Sequence, residues 1–262
     1  MIAAPFQRSS TPPTAPDVSL VIPAYNESDR IGNCLDQLTS WITTRPETFE
    51  IIVVDDGSSD DTAAVAERWS TRHPIITVIH ERHRGKANAV LAGLSAAQGD
   101  IAGYLDVDLA TPITTWDECA EAFRAGADVA IASREGIGAI RVGEPWYRHV
   151  MGRAFNSIVR VLLLPGLHDT QCGFKFFTRH ALNTILSRTT LYRNSDVVSR
   201  PRVTAFDVEL LFIARRHHLR ITVIPVTWTY GEHTKVNPLT DTLQNLSDVL
   251  KVRINGWLGK YA

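Results

Sequence analysis

From residue 18 onward, short apolar runs alternate with longer stretches of helical period. The runs are VSLVIPA (18–24), FEIIVVDD (49–56), IITVIH (75–80), DIAGYL (100–105) and DVAIAS (128–133). Their length and apolar content read as strands. Between them, SDRIGNCLDQLTSWI (28–42) sets Ile31, Leu35, Leu38 and Ile42 at helical spacing, with Ser28 expected as its cap. SDDTAAVAERWSTR (59–72) reads as a second capped helix, and KANAVLAGLSAAQG (86–99) as a third, ended by Gly99. Strands that are apolar throughout, and separated by helices, imply a mostly parallel sheet covered on both faces. The expected fold is α/β, a single domain with a Rossmann-like sheet flanked by helices. In such sheets ligands bind beyond the carboxyl ends of the strands.

Later in the chain, EPWYRHVMGRAFNSIVRVLLLPGL (144–167) carries Met151, Phe155, Ile158, Val159, Leu162 and Leu163 along one helical face. Arg134, Arg141, Arg148, Arg153 and Arg160 outnumber Glu135 and Glu144 around it. By pattern this is either an ordinary core-facing helix or one that lies at a bilayer interface. LKVRINGWLGKYA (250–262), with Trp257 and Tyr261, allows the same two readings.

Composition narrows the picture. The chain has 262 residues, 44% hydrophobic and 21% charged, as a globular protein has. A formal net charge of −1 supplies no general attraction to nucleic acid or membrane, and no nucleic-acid partner is expected. Cys34, Cys119 and Cys172 are too scattered for a zinc site or a disulfide framework, so a reducing cytoplasmic setting is expected. No apolar run has transmembrane length. The Pro-, Ser- and Thr-rich start, 1–16, reads as a disordered lead-in to a domain over 17–262.

Polar residues collect where the strands end. Pro23, Tyr25, Asn26 and Glu27 follow the first strand, and Asp55, Asp56, Gly57 and Ser58 the second. Arg84, Gly85 and Lys86 follow the third, Asp106 and Asp108 the fourth, and Arg134 the fifth. Each alone is compatible with a turn or a helix cap. Together they describe a cleft with acidic groups on one side and cationic groups on the other. There is no GxGxxG and no Walker loop, so phosphates would be held by a metal with Lys86 and Arg134. Two carboxylates one residue apart, as in DVDLATP (106–112), repel each other, and a divalent cation would relieve that.

VIPAYNES, IIVVDDGSSDDT, RGKANAV and YLDVDLATP together resemble the inverting family 2 glycosyltransferases, over about residues 17 to 258. DTQCGFKFFTR (169–179) and AFDVELLFIA (205–214) resemble the dolichyl-phosphate β-glucosyltransferases and related polyprenyl-phosphate sugar transferases. The resemblance implies a GT-A fold, with a nucleotide-sugar-binding part over 17–135 and an acceptor-binding part over 136–262. It implies donor binding by Pro23, Tyr25, Glu27, Asp55, Asp56, Lys86, Asp106 and Arg134. It places Mg²⁺ or Mn²⁺ on Asp106 and Asp108. Ala110 stands where related mannosyl-phosphate enzymes often have Gln, which removes one candidate ligand. Asp207 takes the position of a general base, with Glu209 and Asp169 as further catalytic candidates. Arg148, Arg153 and Lys175 are candidates for the acceptor. A phosphate acceptor has a second pKa of about 6 and needs little help from a base at neutral pH, so Asp207 either removes a proton or orients the acceptor. The implied reaction moves a hexose, glucose from UDP-glucose, to a polyprenyl or dolichyl phosphate. The alternatives are a soluble or glycolipid hydroxyl acceptor, or a nucleotide-sugar-binding protein without turnover. A peripheral place on the cytoplasmic face of the membrane fits the leading reading, and a homodimer is compatible with it.

Overall fold

The computed structural model describes residues 15–192, 204–231 and 238–262. The expected lead-in falls almost wholly outside them. The five expected strands form as β1 (Val18–Ala24), β2 (Phe49–Asp55), β3 (Ile76–His80), β4 (Ile101–Leu105) and β5 (Val129–Ser133). Between them lie α1 (Ser28–Ile42), α2 (Thr62–Arg72), α3 (Lys86–Ala96) and α4 (Trp116–Arg124). Then follow β6 (Ile140–Val142), α5 (Trp146–Leu162), β7 (Phe174–Thr178), α6 (Arg179–Arg188), α7 (Phe206–Arg216), β8 (Ile221–Pro225), β9 (Thr227–Thr229) and α8 (Pro238–Trp257).

The main sheet has the order β3-β2-β1-β4-β7-β5-β8. All its pairings are parallel except those of β7, which runs antiparallel between β4 and β5. Both faces are covered, as continuous apolar strands require. Leu20 and Ile22 face one core with Ile31, Leu35 and Trp116, while Val21 faces the other with Val90, Leu211 and Val252. β6 and β9 make a small separate pair.

Three local expectations shift. Ser28 is the first residue of α1 rather than its cap. The free amides of that turn are met from the loop after β2: Glu27 N–H donates to Thr62 Oγ1 at 2.7 Å and Ser28 N–H to Asp60 Oδ2 at 3.2 Å. α2 starts at Thr62 rather than 59, because Asp60 turns back to accept the Thr62 amide at 3.0 Å. α3 ends at Ala96, before Gly99. Gly99 serves close approach instead: a Cβ there would stand 2.8 Å from both the amide nitrogen and the hydroxyl of Ser19.

α5 forms as expected, but its apolar stripe divides. Phe155, Val159 and Leu163 are buried in the core, Met151 and Leu162 are half-buried, and Ile158 is exposed. The outward side carries a different apolar set, Trp146, Tyr147, Val150 and Val161 beside Ile158.

Candidate active site

The ends of β1 and β2 form one wall. Asn26 takes a left-handed conformation (φ 52°), and its carboxamide accepts the Ser59 amide at 2.8 Å, so the two loops lock together. Tyr25 stacks on His83, with ring centroids 3.8 Å apart and planes 5° from parallel. Asp55 is buried at the end of β2, where its carboxylate accepts the Ser58 amide at 3.2 Å. Pro23 is half-buried, and Glu27 pairs with Arg30 at 2.5 Å. Asp56 is engaged by the chain itself: it accepts the amides of Arg84 and Gly85, each at 2.9 Å, and contacts His83 Nδ1 at 2.8 Å. Its carboxylate, expected beside the nucleotide, shapes the turn before α3. His83, not singled out by the sequence pattern, joins the wall through Tyr25 and Asp56.

β4 delivers the paired carboxylates. Asp106 and Asp108 lie in the turn after Leu105, where Leu109 adopts φ 47° and donates its amide to the Asp106 carbonyl at 3.0 Å. Asp108 accepts the Ala110 amide at 3.1 Å. Burial, and then the neighbouring charge of Asp106, push the Asp108 carboxyl above its ordinary range. Lys86 Nζ pairs with Asp106 Oδ1. Gly173 makes the room: a Cβ there would overlap the Asp106 carboxylate at 2.1 Å. Among the described residues, no three His, Cys, Asp or Glu side chains converge as a metal cage. The two carboxylates nevertheless fit a hard divalent cation that completes its shell with diphosphate oxygens and water. Such an ion would relieve the repulsion felt at Asp108.

On the other side of β4, two candidates prove to be partners of each other. Arg134 clasps Asp169 through its amide (2.9 Å), Nε (2.7 Å) and a terminal nitrogen (2.9 Å). Burial alone would raise the Asp169 carboxyl, but the Arg134 charge and these bonds hold it well below the usual carboxylate range. The pair stitches the end of β5 to the loop before β7, so two residues expected in separate roles are each other's partner in this structure.

Asp207 sits in the first turn of α7 and is nearly buried. Its Oδ1 accepts from the Tyr104 hydroxyl and pairs with Lys175 Nζ at 2.8 Å. Lys175 is fully buried and also donates to the Cys172 carbonyl. Its ammonium, expected at an acceptor phosphate, meets the Asp207 carboxylate in this structure. Glu209 points elsewhere, as side chains two apart on a helix do. It is fully buried, and accepts from the Thr190 amide and hydroxyl (both 2.9 Å), the Leu191 amide (3.1 Å) and the Tyr261 hydroxyl (2.8 Å). Burial raises its carboxyl despite those bonds. Glu209, expected as a further catalytic candidate, therefore clamps the C-terminal segment to the end of α6 in this structure.

The arginines around α5 sort by partner. Arg141 is neutralised by Glu144 at 2.6 Å and Glu135 at 3.0 Å. Arg148, Arg153 and Arg160 have no carboxylate partner among the described residues, though Arg148 lies over the Tyr230 ring at 5.5 Å and Arg160 contacts His168 at 3.1 Å. No described helix is long and apolar enough to cross a membrane.

The chain is similar in sequence and in shape to known proteins. The dolichyl-phosphate beta-glucosyltransferase ALG5C of Trichomonas vaginalis is 31% identical over 249 residues, which cover 90% of this chain and 68% of that protein. The dolichyl-phosphate beta-glucosyltransferase of Homo sapiens is 30% identical over 261 residues, 93% of this chain and 77% of the other. In shape, the chain is similar to the mannosyltransferase PcManGT of Pyrobaculum calidifontis, solved in complex with GDP-Man and Mn2+. The TM-score is 0.59 and the identity 20%, over 96% of this chain and 68% of that one. The fold is GT-A, and the protein is a glycosyltransferase. The family model described as glycosyl transferase family 2 matches residues 19–186, and the chain belongs to that family.

Proposed function

We propose that this enzyme transfers glucose from UDP-glucose, with inversion, to the phosphate of dolichol or a related polyprenol, and works peripherally at the cytoplasmic face of a membrane. The observation that carries the reading is the similarity, at 30% identity over 93% of the chain, to a protein named for that reaction. The stacked Tyr25 and His83 rings offer the nucleoside a flat surface, and Asp55 at the end of β2 offers it a carboxylate. Asp106 and Asp108 would hold Mg²⁺ or Mn²⁺, which when bound neutralises charge building on the departing nucleoside diphosphate. Lys86, at Asp106, adds fixed positive charge in the same place. A phosphate acceptor is largely ionised above its second pKa of about 6, so Asp207 orients substrate and is not required to remove a proton.

The membrane side rests on the exposed apolar surface of α5 and on a second stripe, Leu250, Ile254 and Trp257 on α8 with Leu258 just after it; α8 packs against α5. Arg148, Arg153 and Arg160 add unneutralised charge suited to anionic head groups. The test is transfer from labelled UDP-glucose to dolichyl phosphate in anionic vesicles, with GDP-mannose as the competing donor. Metal-dependent glucosyl lipid is expected, abolished by EDTA. Transfer to a soluble alcohol with none to the lipid phosphate would overturn the reading.

A further inference from the structure

Neither the motifs nor the relatives assign a role to Tyr104, which reads in the sequence as one apolar residue of IAGYL. In the fold it stands directly opposite Lys175 across the antiparallel β4–β7 pairing. Both side chains are fully buried, and both end on the same atom, Asp207 Oδ1. Lys175 Nζ also lies 5.5 Å from the centre of the Tyr104 ring. Oδ2 of Asp207 has no hydrogen-bond partner among the described residues. The carboxylate is thus fixed by two donors on one oxygen and leaves the other for a ligand.

Packing does not explain this arrangement. Lys175 lies in FKFFT, among Phe174, Phe176 and Phe177. A buried ion pair is commonly no more stabilising than apolar side chains of the same volume. What Lys175 and Tyr104 supply, and apolar side chains would not, is a single fixed position for the Asp207 carboxylate. That position lies near the paired carboxylates, since the charges of Asp207 and Asp106 both act on Tyr104 and on Lys86. We infer that Tyr104 and Lys175 are positioning residues of the transfer reaction, acting through Asp207, whose Oδ2 accepts a hydrogen bond from a hydroxyl of the bound substrate. The inference rests on the proposed glucosyl transfer for the identity of that substrate, but not for the geometry.

A double-mutant cycle tests it. Tyr104→Phe deletes one donor and keeps the ring. It is expected to lower kcat about tenfold, the worth of one hydrogen bond to a charged group, with KM for UDP-glucose within about twofold of wild type. In an Asp207→Ala background the same substitution should change kcat little, because the partner it acts through is gone. Lys175→Met should show the same coupling to Asp207→Ala, provided circular dichroism shows a folded variant; if it does not fold, the Tyr104 cycle decides alone. An equal loss in both backgrounds, or a fall in Tm with kcat unchanged, would overturn the inference. Wild-type transfer to dolichyl phosphate is measured first. Its absence overturns the proposed acceptor, and the cycle then runs on metal-dependent hydrolysis of UDP-glucose, where coupling or its absence still decides the positioning role.

Discussion

Two carboxylates of this site have opposite electrostatic environments, and each makes a different prediction. Asp108 is pushed up by burial and by Asp106, with the Ala110 amide as its only hydrogen bond among the described residues. A bound cation would relieve that repulsion. Asp108→Asn is expected to lower turnover by about two orders of magnitude or more, since a Lewis-acid cation supplies several kcal/mol at the transition state. Thermal stability should hold or rise, because the substitution removes repulsion. Loss of Mn²⁺ binding, followed by electron paramagnetic resonance, is the accompanying readout; unchanged binding and turnover would refute the site. Asp169 is the reverse case, held well below the usual range by Arg134. Its native pKa lies below the unfolded value of about 3.9, so the stabilisation is complete above that pH and fades as pH falls toward the native pKa. Asp169→Asn leaves Arg134 without its partner and should cost about 3 kcal/mol at pH 7. Its stability should also vary less between about pH 4 and 2 than wild type, as the group that takes up protons on unfolding is gone. Denaturant melts at several pH values check both. A raised KM for UDP-glucose at unchanged stability would mean instead that Arg134 serves the diphosphate.

Helix α5 shows what periodicity carries and what it leaves open. Apolar residues lie on both of its sides, and the pattern alone does not say which side meets the core. Phe155 and Val159 went inward, and Trp146, Val150 and Val161 outward. Val150→Glu with Val161→Glu should therefore leave Tm near wild type and lower association with anionic vesicles by roughly tenfold or more, by removing inserted apolar area. Phe155→Ala should do the opposite, costing about 3–5 kcal/mol of stability. Vesicle co-sedimentation beside thermal melts distinguishes them, and vesicle binding unaffected by the two glutamates would exclude this face. The first five strands were legible because each is an uninterrupted apolar run. β7 was not, because Lys175 breaks its run, and the carboxylate that neutralises that lysine inside, Asp207, is distant in sequence. The same distance hid the roles of Asp56, Asp169 and Glu209. A carboxylate that accepts backbone amides or an arginine looks in sequence like one that waits for a ligand. The gathering of polar residues at one end of the strands was legible, since it follows from the order of the elements.

At the scale of the whole molecule, the proposed donor part, 17–135, and acceptor part, 136–262, share one core. β7, from the second part, lies between β4 and β5 of the first, and β8 completes the sheet beyond β5. β5 touches no other strand of the first part, so its pairing depends entirely on β7 and β8. Residues of α3, β4, α6 and α7 line one continuous apolar core. A truncated chain of residues 17–135 would expose that core and leave β5 unpaired, so it is expected to be insoluble or to lack cooperative unfolding. The full chain should unfold in one transition, with tryptophan fluorescence and far-ultraviolet circular dichroism coincident in urea. Trp116 is a suitable reporter, buried against Phe49 from the donor part and Phe176 from β7. The same architecture bears on function: Tyr104 and Asp106 belong to one strand and its following turn, and Lys175 to the strand beside it. A strain on β7 from the acceptor side thus reaches the carboxylates that would hold the donor. Two separated transitions, or a folded 17–135 fragment, would show instead that the parts are independent and that no such mechanical link exists.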